Sequence, residues 1–293
     1  MRKKTKGMQV FAVVNYIFLT AIALTCLLPM LNLLAISFSA SPAVSAGKVG
    51  LWPVNFTFES YEYMANKPEF FISLGVSGKR LLLGVPISMI VSVLAAYPLS
   101  RQNNEFKARK YYIWFFVVPM LFYGGLIPSY MVVRNTGLLD SIWALVLPCA
   151  INVFNIILLM NFFRSIPKEM EEAAAIDGAG HFSILLRIVL PVSAPVLATV
   201  LLFFIVNHWN AWFDGLIYMN TPANYPLQTY LQTQVVGQDL MASTTRDIRQ
   251  IGNISDRTGK AAQVFLAAIP VLAVYPFLQK YFTTGIVMGS VKG

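Results

Sequence analysis

The segment Glu171-Glu172-Ala173-Ala174-Ala175-Ile176-Asp177-Gly178-Ala179-Gly180 is a charged helix–turn pattern set between two long hydrocarbon runs. Pro167 stands just ahead of it, where a first helical turn tolerates proline. Glu169, Glu171 and Glu172 follow at the positive end of the helix, where carboxylates are favoured. Gly178 after Asp177 reads as the left-handed stop residue, so the pattern predicts a helix of about ten residues and a turn. A second helix then runs from His181 into the next apolar stretch. Met170, Ala173 and Ala174 share one face at three- and four-residue spacing, and alanines permit close approach by another protein. A helix lying on lipid prefers Lys and Arg on one face and bulky apolar residues on the other. This one is acidic and small. It reads as a docking surface for a partner in the water beside a membrane.

The rest of the chain supplies the membrane. Hydrophobic residues make up 57% of the 293 residues and charged residues 12%, with a mean hydropathy of +0.63. Soluble domains carry roughly 25% charge, so an integral membrane protein is expected. The net charge of +9 does not imply nucleic acid, because the basic residues cluster beside apolar runs. Cys26 and Cys149 both fall inside apolar runs and read as small hydrophobes.

A helix needs about 20 apolar residues to cross ~30 Å of hydrocarbon, and lipid leaves helices as the spanning form here. Six runs qualify, at about 10–37, 81–100, 111–133, 141–163, 184–206 and 261–279. The first is too long for the apolar core of a cleavable leader and is read as a span. Short basic loops alternate with long charge-balanced ones, which places both termini in the cytoplasm. The loop 164–183 then faces the cytoplasm, and the loops 38–71 and 207–260 face outward. Lys79 and Arg80 sit on the wrong side of this scheme, and an interfacial helix before the second span would hold them. The whole chain is read as one all-α transmembrane domain.

The full spacing Glu172-Ala173-Ala174, Gly178, Ile188-Val189-Leu190-Pro191 resembles the signature loop of membrane subunits of bacterial ATP-binding-cassette importers. The Asp177-Gly178-Ala179 form looks like the carbohydrate branch, as does the tail from Gln279 through Gly285 and Gly289 to Gly293. The resemblance covers roughly 70–293. It implies a six-helix, MetI-like permease fold with a cytoplasmic coupling helix carrying Glu171, Glu172, Ala173, Ala174, Asp177, Gly178 and Ala179. It also implies partners: a second permease, two ATPase subunits that hold ATP and magnesium, and an external solute-binding protein that delivers a sugar. The run Trp209 to Asp214 and the long outer loops look similar to a branch importing oligosaccharides, acidic ones such as alginate fragments among them.

The residues agree with an energy source outside this chain. The chain contains no Gly-x-x-x-x-Gly-Lys-[Ser/Thr] phosphate loop, so it cannot cradle a nucleotide itself. His181 and His208 are too isolated for a metal site. Neither a catalytic cluster nor a cofactor is expected, which disfavours a membrane enzyme. The span cores hold no ionisable residue, which disfavours an ion-coupled secondary carrier, the alternative reading. Asn152, Asn155 and Asn207 are candidates for a translocation path, with interhelical hydrogen bonding as the plainer role for each. Trp209, Trp212 and Phe213 are either an interfacial aromatic belt or a face for sugar or binding protein.

Overall fold

The computed structural model describes residues 6–102, 106–122, 124–234, 257–270, 272–273 and 276. Parts of three expectations lie outside these: residues 235–256 of the second outer loop, the end of the sixth span, and the glycine-rich tail. Among the described residues the chain is helical, with a single isolated antiparallel bridge between Ser39 and Phe56. The chain divides into two compact units, Met1–Pro68 with Gln234–Ile269, and Glu69–Thr233 with Pro270–Gly293.

The first unit opens with α1, Lys6–Ser37. None of the most hydropathic window of this helix is buried by the described residues. The segment that follows is ordered by short helices α2, Ser41–Ser45, and α3, Glu59–Ala65. Its aromatic content packs on itself: Phe38 stacks with Phe56 and Tyr61, and Phe58 meets both Phe38 and Phe56 edge-on. Residues 257–270 form a further helix whose Thr258 hydroxyl meets that of Ser41 at 3.3 Å.

The second unit is organised by α4, Pro68–Ser100, one continuous helix through Pro86 and Pro98. The expected second span lies within it, but the helix starts well before residue 81, so Lys79 and Arg80 stand inside it, at the start of its apolar run, rather than on a separate interfacial helix. Ser73, Ser77, Arg80, Gly84, Ser88 and Ser92 recur at three- and four-residue intervals and all face inward. Small polar residues on one stripe let backbones approach closely where helices meet in lipid. Gly84 shows how closely, since a Cβ there would sit 2.7 Å from the His208 ring.

Three expected spans are interrupted. The third divides into α5, Arg109–Leu121, and α6, Leu126–Asn135. The fourth divides into α7, Ile142–Val146, and α8, Val153–Ser165, and Pro148 lies in the irregular stretch between them. The fifth begins as α10, His181–Ile184, passes through a π-helical turn at Leu185–Val189 and a short α11, Leu190–Val192, and bends by 84° into α12, Ala194–Asn210. Pro191 and Pro195 flank that bend. Proline removes an amide donor and crowds the preceding turn. By length and apolarity, two described helices can cross a membrane alone, or four segments if each bent pair counts as one. The core of this unit joins α4, α8, the π turn and α12 through Val93, Ala96, Leu159, Phe163, Val189 and Phe204, all buried.

At the other end of the unit, a cap forms from α6, α7 and α13, Phe213–Tyr218, around Val133, Ala144, Leu145, Tyr218 and Met219. Asp140 ties it together from a left-handed conformation, φ +56°, that aspartate tolerates better than most residues. Its carboxylate accepts the Thr221 hydroxyl at 2.6 Å, the Asn224 amide at 3.1 Å and the backbone N–H groups of Asn220 and Thr221 at 3.1 Å. The Thr221 hydroxyl first, then Asn224 and the Thr221 amide, hold its pKa down to about 2. The folded value lies below the unfolded one, so this contribution is present above the ordinary carboxylate range and is lost as pH falls through about 2. Amide protection at Asn220 and Thr221 is therefore expected to stay constant from neutral pH to about 4 and to drop below it, with Asp140→Asn abolishing that drop. A loss centred near neutrality would contradict the assignment.

Candidate functional site

The charged helix–turn forms α9, Lys168–Ile176, with Pro167 at its N-cap. Gly178 takes φ +82°, and the Ala179 N–H returns to the Ala174 carbonyl at 2.9 Å while Gly178 N–H reaches Ala175 at 3.0 Å. These bonds close the helix at its C-terminus in the way a left-handed glycine permits. Ala174 and Ala179 turn inward and pack against the core. Glu172, Ala173, Asp177 and Gly178 are exposed. Met170, Ile176 and Phe182 are exposed as well, Ile176 at 87%. A bare isoleucine on an otherwise acidic helix adds an apolar point to the surface. Composition gave no sign of it, because an isolated Ile after three alanines reads equally well as core.

Glu171 points the other way. It pairs with Arg101, one residue beyond α4, and the two side chains are 15% and 21% exposed. The Arg101 guanidinium also lies over the Tyr97 ring, 4.4 Å from its centroid, a cation–π placement. The Tyr97 hydroxyl donates to the His181 carbonyl at 3.2 Å. A cleft of about 420 Å³ opens beside the pair, with Arg109, Arg164, Lys168 and Glu172 on its walls.

The path candidates separate. Asn152 caps α8, its side-chain oxygen accepting the Asn155 N–H at 3.2 Å. Asn155 is buried and Asn207 is exposed on α12. The aromatic cluster separates too. Trp209 is buried, 5% exposed, while Trp212 and Phe213 remain half open and meet edge-on with centroids 5.5 Å apart.

A buried ionic group joins Arg80, expected just ahead of the second span, to Asp214, expected in the loop after the fifth. Arg80 is fully buried within α4 and pairs through both terminal nitrogens with Asp214 of α13. It also donates to the Ala211 carbonyl at 3.3 Å and approaches His208 Nδ1 at 3.5 Å, and His208 Nε2 lies 3.3 Å from the Ser88 hydroxyl. The charge is thus compensated on the spot, unlike the open carboxylates of ion-coupled carriers. The sequence contains its two halves far apart, and nothing local to either announces the other. Among the described residues no three His, Cys, Asp or Glu side chains come together as a metal site.

Known proteins place this geometry in a family. Residues 10–287 match the family of binding-protein-dependent transport system inner membrane components. The chain is 40% identical to protein LplC of Bacillus subtilis (strain 168), over 99% of its own length and 97% of that protein's. It is 41% identical to the polygalacturonan/rhamnogalacturonan transport system permease protein YtcP of the same organism, over 97% and 99%. A chain from the crystal structure of a bacterial ABC transporter involved in the import of the acidic polysaccharide alginate superposes with a TM-score of 0.85 at 31% identity. That match covers 96% of this chain and all of the other. With the match extending over nearly its whole length, this chain belongs to the binding-protein-dependent transport system inner membrane component family, the membrane-embedded permeases of ABC transporters.

Proposed function

We propose that this chain is one of two membrane subunits of an ATP-driven importer of oligosaccharides, acidic ones in the first place. It works with a second permease, two ATPase subunits and an external binding protein. The observation that carries the reading is the exposed turn of α9, with Glu172, Ala173 and Ile176 outward and Gly178 at positive φ. An acidic helix with two isolated apolar side chains bare, Met170 and Ile176, is a poor fit to lipid and a good fit to a protein cleft. ATP and magnesium belong to the partner subunits, and this chain serves transport without a nucleotide site of its own. Closure of the ATPases around bound ATP rocks α9, and the spans open outward to receive sugar from the binding protein. Release of the hydrolysis products returns them. The acidic class of sugar is supported by the polygalacturonan/rhamnogalacturonan permease and the alginate importer among the similar proteins.

In this arrangement the chain crosses the membrane six times and forms a single transmembrane domain with both termini inside. Asn155 and Asn207 are the better remaining contributors to the path, and Trp212 with Phe213 forms the outward aromatic face. Co-purification from detergent of an ATPase subunit and a second permease tests the assembly; their absence from a stable preparation would overturn it. Topology has its own test. After replacement of Cys26 and Cys149, cysteines at positions 7, 107, 175 and 292 are expected to resist an impermeant reagent in intact cells, and those at 67, 135 and 249 to react. Labelling of position 175 from outside would reverse the orientation.

A further inference from the structure

The apolar run of helix α4 is held at both of its ends by elements that, on the function proposed above, face different partners. At its inner end Arg101 grips Glu171 on α9, and Tyr97 holds the His181 carbonyl on α10. These contacts fall on opposite sides of the Gly178 turn. Any displacement of the docking turn therefore pulls on α4 from both of its arms. At the outer end of that run, within the helix, Arg80 holds Asp214 and the Ala211 carbonyl, and the Ser77 hydroxyl accepts the Leu227 N–H at 2.8 Å. The segment held there is stiffened internally. The Thr229 hydroxyl donates to the Trp212 carbonyl at 2.7 Å, and a Cβ on Gly215 would collide with Thr229 and Pro226. The helix between Arg80 and Arg101 is roughly 30 Å long, about the thickness of the hydrocarbon core. The covalent route outward from α9 is less direct, since it passes through the π turn and the 84° bend at Ser193.

We propose that α4 is the member that carries movement of the docking turn to the outer segment 211–230, with Arg101–Glu171 and Arg80–Asp214 as its two end joints. Coupling between distant sites needs a contiguous chain of packed or bonded groups joined by stiff elements, and α4 with these two pairs is such a chain. Both ion pairs are largely shielded from water, so neither belongs to the exposed class that contributes little. Arg101 and Glu171 act as positioning residues. They hold the turn to the helix, and neither needs to touch sugar or nucleotide.

The test uses the whole transporter, with partner permease, ATPases and binding protein, reconstituted in lipid vesicles. A fluorophore is placed on Leu216→Cys, an exposed position of α13, in a chain lacking Cys26 and Cys149. In the otherwise unaltered chain the signal is expected to change when ATP binds. Arg101→Gln and Glu171→Gln keep size and polarity and so spare folding. Each should reduce the ATP-dependent signal and uptake by at least about fivefold, with the ATPase still bound. The double variant should be no worse than the worse single one, because both changes remove the same contact. A full signal in either single variant, or losses that multiply in the double, would overturn the proposal. A parent complex without an ATPase subunit, or without any response to ATP, would instead overturn the function on which it rests.

Discussion

A chain carrying Glu172→Lys is expected to insert, fold and assemble, and yet to import nothing measurable. Glu172 is exposed, so the change falls on the surface of α9 rather than on the core. On the function proposed above, reversing the charge places a cation where an acidic helix would meet the ATPase, and opposed like charges across an interface cost several kcal/mol. Gly178→Val should have a similar outcome by another route. Nothing lies within 4 Å of a Cβ built there, so space is not the obstacle; φ +82° is. A β-branched residue at positive φ carries strain on the order of 1–3 kcal/mol. That strain is relieved by reopening the turn that sets α9 against α10. Uptake of labelled oligosaccharide by cells should fall to background in both variants, with normal amounts of protein in the membrane. A Glu172→Lys transporter with full binding-protein-stimulated ATP hydrolysis and uptake would show that α9 does not dock the ATPase.

The second large effect is on stability. Arg80→Leu leaves the Asp214 carboxylate, 16% exposed, without its cation. Removing one partner of a buried pair costs about 3–5 kcal/mol, a large share of the roughly 5–15 kcal/mol that holds a folded protein together. The melting temperature of the detergent-solubilised chain should drop by roughly 10 °C. Adding Asp214→Leu should recover much of the loss, because two apolar side chains of similar volume can replace a buried pair at little cost. If Arg80→Leu melts unchanged, the pair does not form in the membrane. If the double variant melts lower than the single one, the cap depends on Asp214 through its other bond, to the Gly215 N–H at 2.8 Å.

What could be read from the amino acids follows from how local each determinant is. The α9 turn was legible almost to the residue, because Pro167, the three glutamates and Gly178 act within one helix and its own termini. The long apolar runs announced spans for the same reason. Their interruptions were harder. Pro148, Pro191 and Pro195 were visible, but a proline kink and a full break look alike until neighbouring helices decide which backbone groups stay covered. The polar stripe on α4 was invisible for a further reason. Ser73, Ser77, Ser88 and Ser92 become an inward face only once later segments pack on them, with His208 against Ser88 and Leu227 against Ser77. Trp209 illustrates the same limit, since its neighbours Trp212 and Phe213 stayed outside while it turned in.

Arg80 also bears on how the chain is made. Its partner Asp214 lies 134 residues further along. At about 5–20 residues per second, the arginine waits roughly seven to twenty-seven seconds for that carboxylate to be synthesised. Through that interval α4 exists as a hydrophobic segment with an uncompensated cation near one end. Such a side chain reaches for the headgroups and holds the helix shallow, with its stripe of serines still facing lipid. The pair can close only after the bend at Ser193 and α12 have been laid down, so α4 settles to its final depth late. A ribosome stalled between the two codons would leave a nascent chain whose second hydrophobic segment is inserted but not yet seated.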